Sequence, residues 1–174
     1  MLSTQSGLSQ ELQLFTDKLQ QLDLKAIAYQ LMDSDEGEKW TYEQTNRAIY
    51  HYSAFLCLIH LYPKHKLVPT QEIDKVWHCH ILDTMKYAQD CEMLFGRFIH
   101  HFPYFGKRGK ADRNNLYAAF TETKTLFQKH FGIELAAAEQ LSQITDCQPV
   151  VYVEQMARPV LDVEIDYFGC AVKV

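Results

Sequence analysis

Residues 73–91 read Ile-Asp-Lys-Val-Trp-His-Cys-His-Ile-Leu-Asp-Thr-Met-Lys-Tyr-Ala-Gln-Asp-Cys. Two histidines, a tryptophan, two aspartates, a tyrosine and two cysteines fall between positions 77 and 91, and His100 and His101 follow. Four of the eight histidines thus lie between 78 and 101, which makes this segment the place to look for chemistry. Imidazole suits zinc, iron, copper and nickel, and carboxylates complete many such sites. The spacing nominates His78, His80 and His100 as metal ligands, with His101 or a carboxylate as a further donor and zinc or iron as the ion. Three ligands with one open position is the pattern of zinc sites that activate water. Two histidines and one carboxylate would suit non-haem iron instead.

Helix geometry constrains that reading. Residues two apart on an α-helix point roughly 200° apart, so His78 and His80 do not grip one ion from an undistorted helix. The i, i+4 pairing of HExxH is absent. On the wheel His80 lies with Ile73, Val76, Trp77, Thr84, Tyr87, Cys91 and Leu94, the apolar side, and His78 lies with Leu82, Met85 and Gln89. In one straight helix His80 and His101 would stand about 31 Å apart at a rise of about 1.5 Å per residue, so a shared site needs a break. Asp83 can cap a new helix starting at Thr84, and Gly96 can turn the chain so that residues 97–105 fold back.

The surrounding elements read as mainly helical. Leu8, Leu12, Phe15, Leu19 and Leu22 step by three and four, and a short helix follows from Leu24. Thr41 and Gln44 match a capping box, opening a helix that runs to about Tyr62, before Pro63. Thr70 caps the segment carrying the histidines, which extends from 71 to about 95. Residues 97–110 read as an ordered aromatic loop, residues 112–131 as a helix with Asp112 as its cap, and 134–142 as a short helix. The tail then alternates with a period of two, through Val151 and Val153 and again from Leu161 to Tyr167, which predicts half-buried strands. The expected architecture is a single-domain helical bundle of five to seven helices over residues 1–148, with a small C-terminal β-hairpin over 149–174 packed on it. A lone hairpin is marginal and needs such support.

Composition excludes several classes. The 174 residues carry 17 Lys+Arg and 22 Asp+Glu, and 47% are hydrophobic, an ordinary globular balance. A pI near 5.9 and the lack of a basic cluster argue against general nucleic-acid binding. No run of about 18 apolar residues predicts a membrane span, and the first twenty residues do not read as a secretory signal. Five cysteines at irregular spacing without CxxC disfavour a disulfide framework, so reduced thiols in a soluble cytoplasmic protein are expected.

Trp77-His-Cys-His80, Tyr87, Asp90-Cys91 and Gly96-Arg97 together resemble the core of the glycine-rich domain-containing protein-like family. The motif covers about residues 72–97 and the relationship extends over about 10–135. The resemblance carries over Trp77, His78, His80, Tyr87, Asp90, Cys91 and Gly96 as pattern positions. It implies a largely uncharacterised domain that plant members attach to further regions, with roles in development and stress. Plant relatives have Asn-Pro where this chain has Asp83-Thr84, which favours a helix start there. His100-His101 departs from those relatives, as does the lack of a glycine-rich tail. The resemblance brings no reaction with it.

Two functions remain open at this stage. One is a small metal-binding domain built on the histidines. In it Trp77, Asp83, Tyr87, Asp90, Cys91 and His101 support the site or the structure around it. The other is a non-catalytic protein-interaction or regulatory module in which the Trp-His motif is structural. Its partner would then dock on residues 97–110 or on the C-terminal strands.

Overall fold

Helix α3 (Tyr42–Leu61) shows how local sequence builds the elements. The Thr41 hydroxyl accepts the Gln44 N–H at 3.2 Å and the Gln44 side chain accepts the Thr41 N–H at 2.9 Å, closing the capping box. Ala48, Tyr52, Phe55, Leu56 and Ile59 then recur at helical spacing on the buried side. Pro63 follows within two residues of the end.

The computed structural model describes residues 2–33, 38–135, 148–150 and 158. Helices α1 (Leu2–Leu19) and α2 (Lys25–Met32) lie against α3, and Phe15 of α1 stacks on the His60 ring with centroids 4.2 Å apart. Helix α4 (Gln71–Leu82) packs on α2 and α3, and α5 (Thr84–Phe95) on α4 and α1. Strand β1 (His100–Phe102) precedes helix α6 (Lys110–Phe131), which packs on α3, and strand β2 (Gln148–Val150) pairs antiparallel with β1. The described residues thus form six helices and one small two-stranded sheet, a mainly α architecture.

The break between α4 and α5 falls at Asp83, whose carboxylate accepts the Lys86 N–H at 3.4 Å. Gly96 ends α5 in the left-handed region at φ 64°, a conformation that costs other residues about 1–2 kcal/mol. Two apolar clusters form. The larger joins helices α1 to α6 around Trp77, Tyr52 and Phe55, none of them exposed, with Leu126 and Phe127 from α6. The smaller joins Val68, Phe102, Phe105, Leu116, Ala119 and Phe120 beneath the loop before α6.

Three local expectations change. Asp112 does not cap α6: the N-cap is Gly109, and the Asp112 carboxylate instead accepts the N–H groups of Gly106 and Arg108 at 2.7 and 3.2 Å and pairs with the Arg108 guanidinium. It reaches back over the loop because the loop amides would otherwise lack acceptors. The segment 97–110 is not all loop, since it supplies β1, and the sheet pairs β1 with β2. The hairpin read over 151–167 lies outside the described residues, apart from Arg158. So does the helix read over 134–142, apart from Glu134 and Leu135, which are not helical.

Candidate metal centre

Asp74 and His78 stand one turn apart on α4, and at about 3.6 residues per turn an i, i+4 pair shares a face. Asp74 lies in the first turn, where the helix dipole favours a carboxylate. Strand β1 brings His101 against that face. The His78 and His101 Nε2 atoms are 2.9 Å apart, and His101 Nε2 is 3.2 Å from Asp74 Oδ1. His78 Nδ1 is 3.7 Å from Asp74 Oδ2. Each of the three residues offers a ligand atom within 4.8 Å of the other two, and no other such group occurs among the described residues. Tetrahedral zinc with bonds of about 2.0–2.1 Å spaces its donors about 3.3 Å apart, close to the two distances from His101 Nε2, whereas the 3.7 Å contact uses the other His78 nitrogen and the other carboxylate oxygen.

The electrostatics suit a cation. Burial holds the His78 imidazole below its ordinary 6.5, more than Asp74 raises it, and the His101 ring adds to the lowering. Neutral imidazole is the form that binds a metal. The His78 side chain keeps 49% of its surface while those of Asp74 and His101 keep 10% each. An ion held here would have protein on one side and solvent on the other.

Buried groups fix the positions of these side chains. The His101 ring meets the Trp77 ring edge-on, with centroids 4.6 Å apart. The Trp77 indole N–H donates to the Tyr87 hydroxyl at 3.0 Å, and that hydroxyl donates to the Ile99 carbonyl at 2.6 Å. The two bonds tie α4 and α5 to the backbone two residues before His101. Burial pushes the Tyr87 hydroxyl well above its ordinary range, so it stays protonated and able to donate.

His80 lies apart from this cluster and is 1% exposed. Its Nδ1 is 2.9 Å from the Tyr52 hydroxyl and its Nε2 is 2.9 Å from Asp90 Oδ2. Tyr52 is fully buried and its hydroxyl is pushed far up, so it donates to Nδ1, while Nε2–H donates to the carboxylate. Burial lowers the His80 pKa more than Asp90 raises it, and the neutral tautomer satisfies both partners. Asp90 also pairs with Lys86 at 2.8 Å.

Of the three residues read as ligands from the sequence, His78 joins the cluster and His80 and His100 do not. His100 is exposed and its ring faces Phe98 at 5.0 Å, because neighbouring side chains on a strand point to opposite faces. His101, read as a further donor or a supporting residue, is the one turned inward. Asp83 caps α5, and Cys91 is 3% exposed with its thiol pushed up by burial beside Tyr87. The Cys79 thiol is also raised, mainly by burial, and lines a cleft of about 560 Å3 with Ile27, Glu38 and Asp83. Asp74 escaped the sequence reading. The Asp-x-x-x-His spacing of 74 and 78 was the available signal, being the helical ligand spacing that HExxH also uses.

Comparison with known proteins places the chain in a family. The UCP032817-like family model matches residues 11–123, more than half of the chain. The chain belongs to that family, which groups with the glycine-rich domain-containing proteins. Glycine-rich domain-containing protein 1 of Arabidopsis thaliana is 28% identical over 123 residues, covering 62% of this chain and 15% of the relative. Glycine-rich domain-containing protein 2 of Arabidopsis thaliana is 40% identical over 60 residues, covering 30% of this chain and 8% of the relative. The matches thus span a small part of these curated relatives. No solved structure matches.

Proposed function

We propose that this member of the UCP032817-like family is a metal-binding domain in which Asp74, His78 and His101 hold one divalent ion, zinc first and iron(II) second. The convergence of three donor atoms from α4 and β1 within 4.8 Å of one another carries the reading. It departs from the sequence expectation in two ligands: His80 has both ring nitrogens engaged by Tyr52 and Asp90, and His100 faces away. A two-histidine, one-carboxylate donor set suits zinc with an open position, and equally the facial triad of non-haem iron. The half-exposed His78 leaves the remaining coordination positions on the solvent side, open to water or an anionic oxygen.

A second reading has its own support. The Trp77 and His80 polar atoms are satisfied internally by Tyr87, Tyr52 and Asp90, as a structural role for the Trp-His motif requires. Exposed Phe98 then belongs to an interaction surface on residues 97–110.

The experiment that separates them is a zinc and iron(II) titration by calorimetry on tag-free protein, beside elemental analysis of the protein as purified. Near-stoichiometric binding that vanishes in His78→Ala and in Asp74→Asn, and persists in His100→Ala, supports the metal domain. Absence of uptake of either ion by folded wild-type protein overturns it in favour of the interaction module.

A further inference from the structure

The ligand set joins a helix to a strand, and the strand has a partner. His101 is the middle residue of β1, and its register partner on β2 is Pro149, with His100 opposite Val150 and Phe102 opposite Gln148. Pro149 has no N–H, so the paired ladder bonds fall to the two flanking pairs. Residues directly opposite each other project to the same face of a sheet, so Pro149, itself buried, lies beside His101 on the face turned to α4. Two strands of three residues are marginal by themselves. Phe102 anchors one end of β1 in the smaller apolar cluster, and the Tyr87 bond to Ile99 and the contacts of the His101 ring with Trp77, His78 and Asp74 hold the rest on the helical body.

From this geometry we infer that metal binding latches the β1–β2 sheet onto helix α4. The ion fixes the side chain at the centre of β1, and an anchored β1 is the template on which β2 pairs. The inference rests on the metal reading and adds a consequence to it: the ion controls whether strand β2, Gln148–Val150, stays joined to the helical body. Linkage makes the effect reciprocal, so loss of β2 must weaken the metal by the same factor.

Hydrogen exchange on the wild-type chain tests this, read at the amides of His100, Phe102, Gln148 and Val150, with and without zinc and with zinc affinity measured in parallel. An ion that binds only the latched form, supplied at 100 times its Kd, slows their exchange about 100-fold. Exchange at the amides of α1, which packs on α3 and α5, changes far less. The partner experiment is Val150→Pro, which removes a ladder N–H, and its expected effect is weaker zinc binding. Zinc that binds without slowing these four amides overturns the latch and leaves the metal reading standing. Unchanged zinc affinity in Val150→Pro with its pairing lost also overturns the latch. If zinc and iron(II) both fail to bind, the metal reading and the latch fall together.

Discussion

Tyr87→Phe removes one oxygen and strands two buried groups. The Tyr87 hydroxyl accepts from the Trp77 indole at 3.0 Å and donates to the Ile99 carbonyl at 2.6 Å. Trp77 is 0% exposed, Tyr87 2% and Ile99 1%, so water does not readily replace the missing partner. A buried donor or acceptor left unsatisfied costs about 1–3 kcal/mol. The indole N–H, with a single hydrogen to place, belongs in the upper half of that range. The carbonyl, which tolerates partial satisfaction better, belongs in the lower half. The sum is about 3–5 kcal/mol, a large share of the roughly 5–15 kcal/mol that holds a domain folded. For a chain of this size it lowers Tm by about 8–14 °C. Urea unfolding followed by tryptophan fluorescence, with the slopes of wild type and variant compared, measures it. The same variant frees the backbone leading into His101, so zinc binding weakens as well. A loss below about 0.5 kcal/mol at unchanged slope would falsify the claim that this hydroxyl is the shared partner, since two stranded groups cannot cost so little.

Three further perturbations probe the fold and its neighbourhood. His80→Ala leaves the buried Tyr52 hydroxyl and Asp90 without their imidazole; a loss of about 2–4 kcal/mol in urea melts is expected, with zinc stoichiometry retained in the folded fraction, and loss of zinc from folded variant would return His80 to the ligand set. Asp112→Asn tests the loop tie through pH. The Arg108 side chain, helped by the Arg108 and Gly106 amides, holds the Asp112 carboxyl below its ordinary 3.8. A carboxylate with a depressed folded-state pKa adds stability above its unfolded pKa and loses it as pH falls through the folded one. Wild type should therefore exceed Asp112→Asn in stability at pH 7, and the gap should close below pH 3.8; a gap independent of pH would remove the electrostatic account. Gly106→Ala places a Cβ 2.7 Å from Leu116 Cδ2 at φ 87°, whereas Gly96→Ala at φ 64° meets nothing within 4 Å. Gly96→Ala should cost about 1–2 kcal/mol from backbone strain alone and Gly106→Ala more, and thermal melts showing the reverse order would contradict the packing described around Leu116.

The parts of this protein that sequence alone determines are those set by interactions within a turn or two. Thr41, Thr70 and Asp83 each meet a backbone N–H three residues ahead, so the starts of α3, α4 and α5 are written in four-residue windows. Gly96 and Gly132 end their helices because they adopt positive φ without a Cβ penalty. The helical wheel likewise separates buried His80 from exposed His78, since the apolar stripe defines which face meets the core.

The membership of the Asp74–His78–His101 cluster was decided by tertiary structure. Which of His100 and His101 turns inward depends on the phase of a three-residue strand, and that phase is set by Pro149 across the ladder and Trp77 beneath it. His80 is taken out of the cluster by Tyr52, 28 residues away in sequence, and by Asp90 on the next helix. Asp74 enters only when β1 folds back over its helix, 27 residues later in the chain. Such meetings depend on the path of the chain between helices. No periodicity or capping signal encodes that path, because its energy lies in contacts that exist only after the elements have packed.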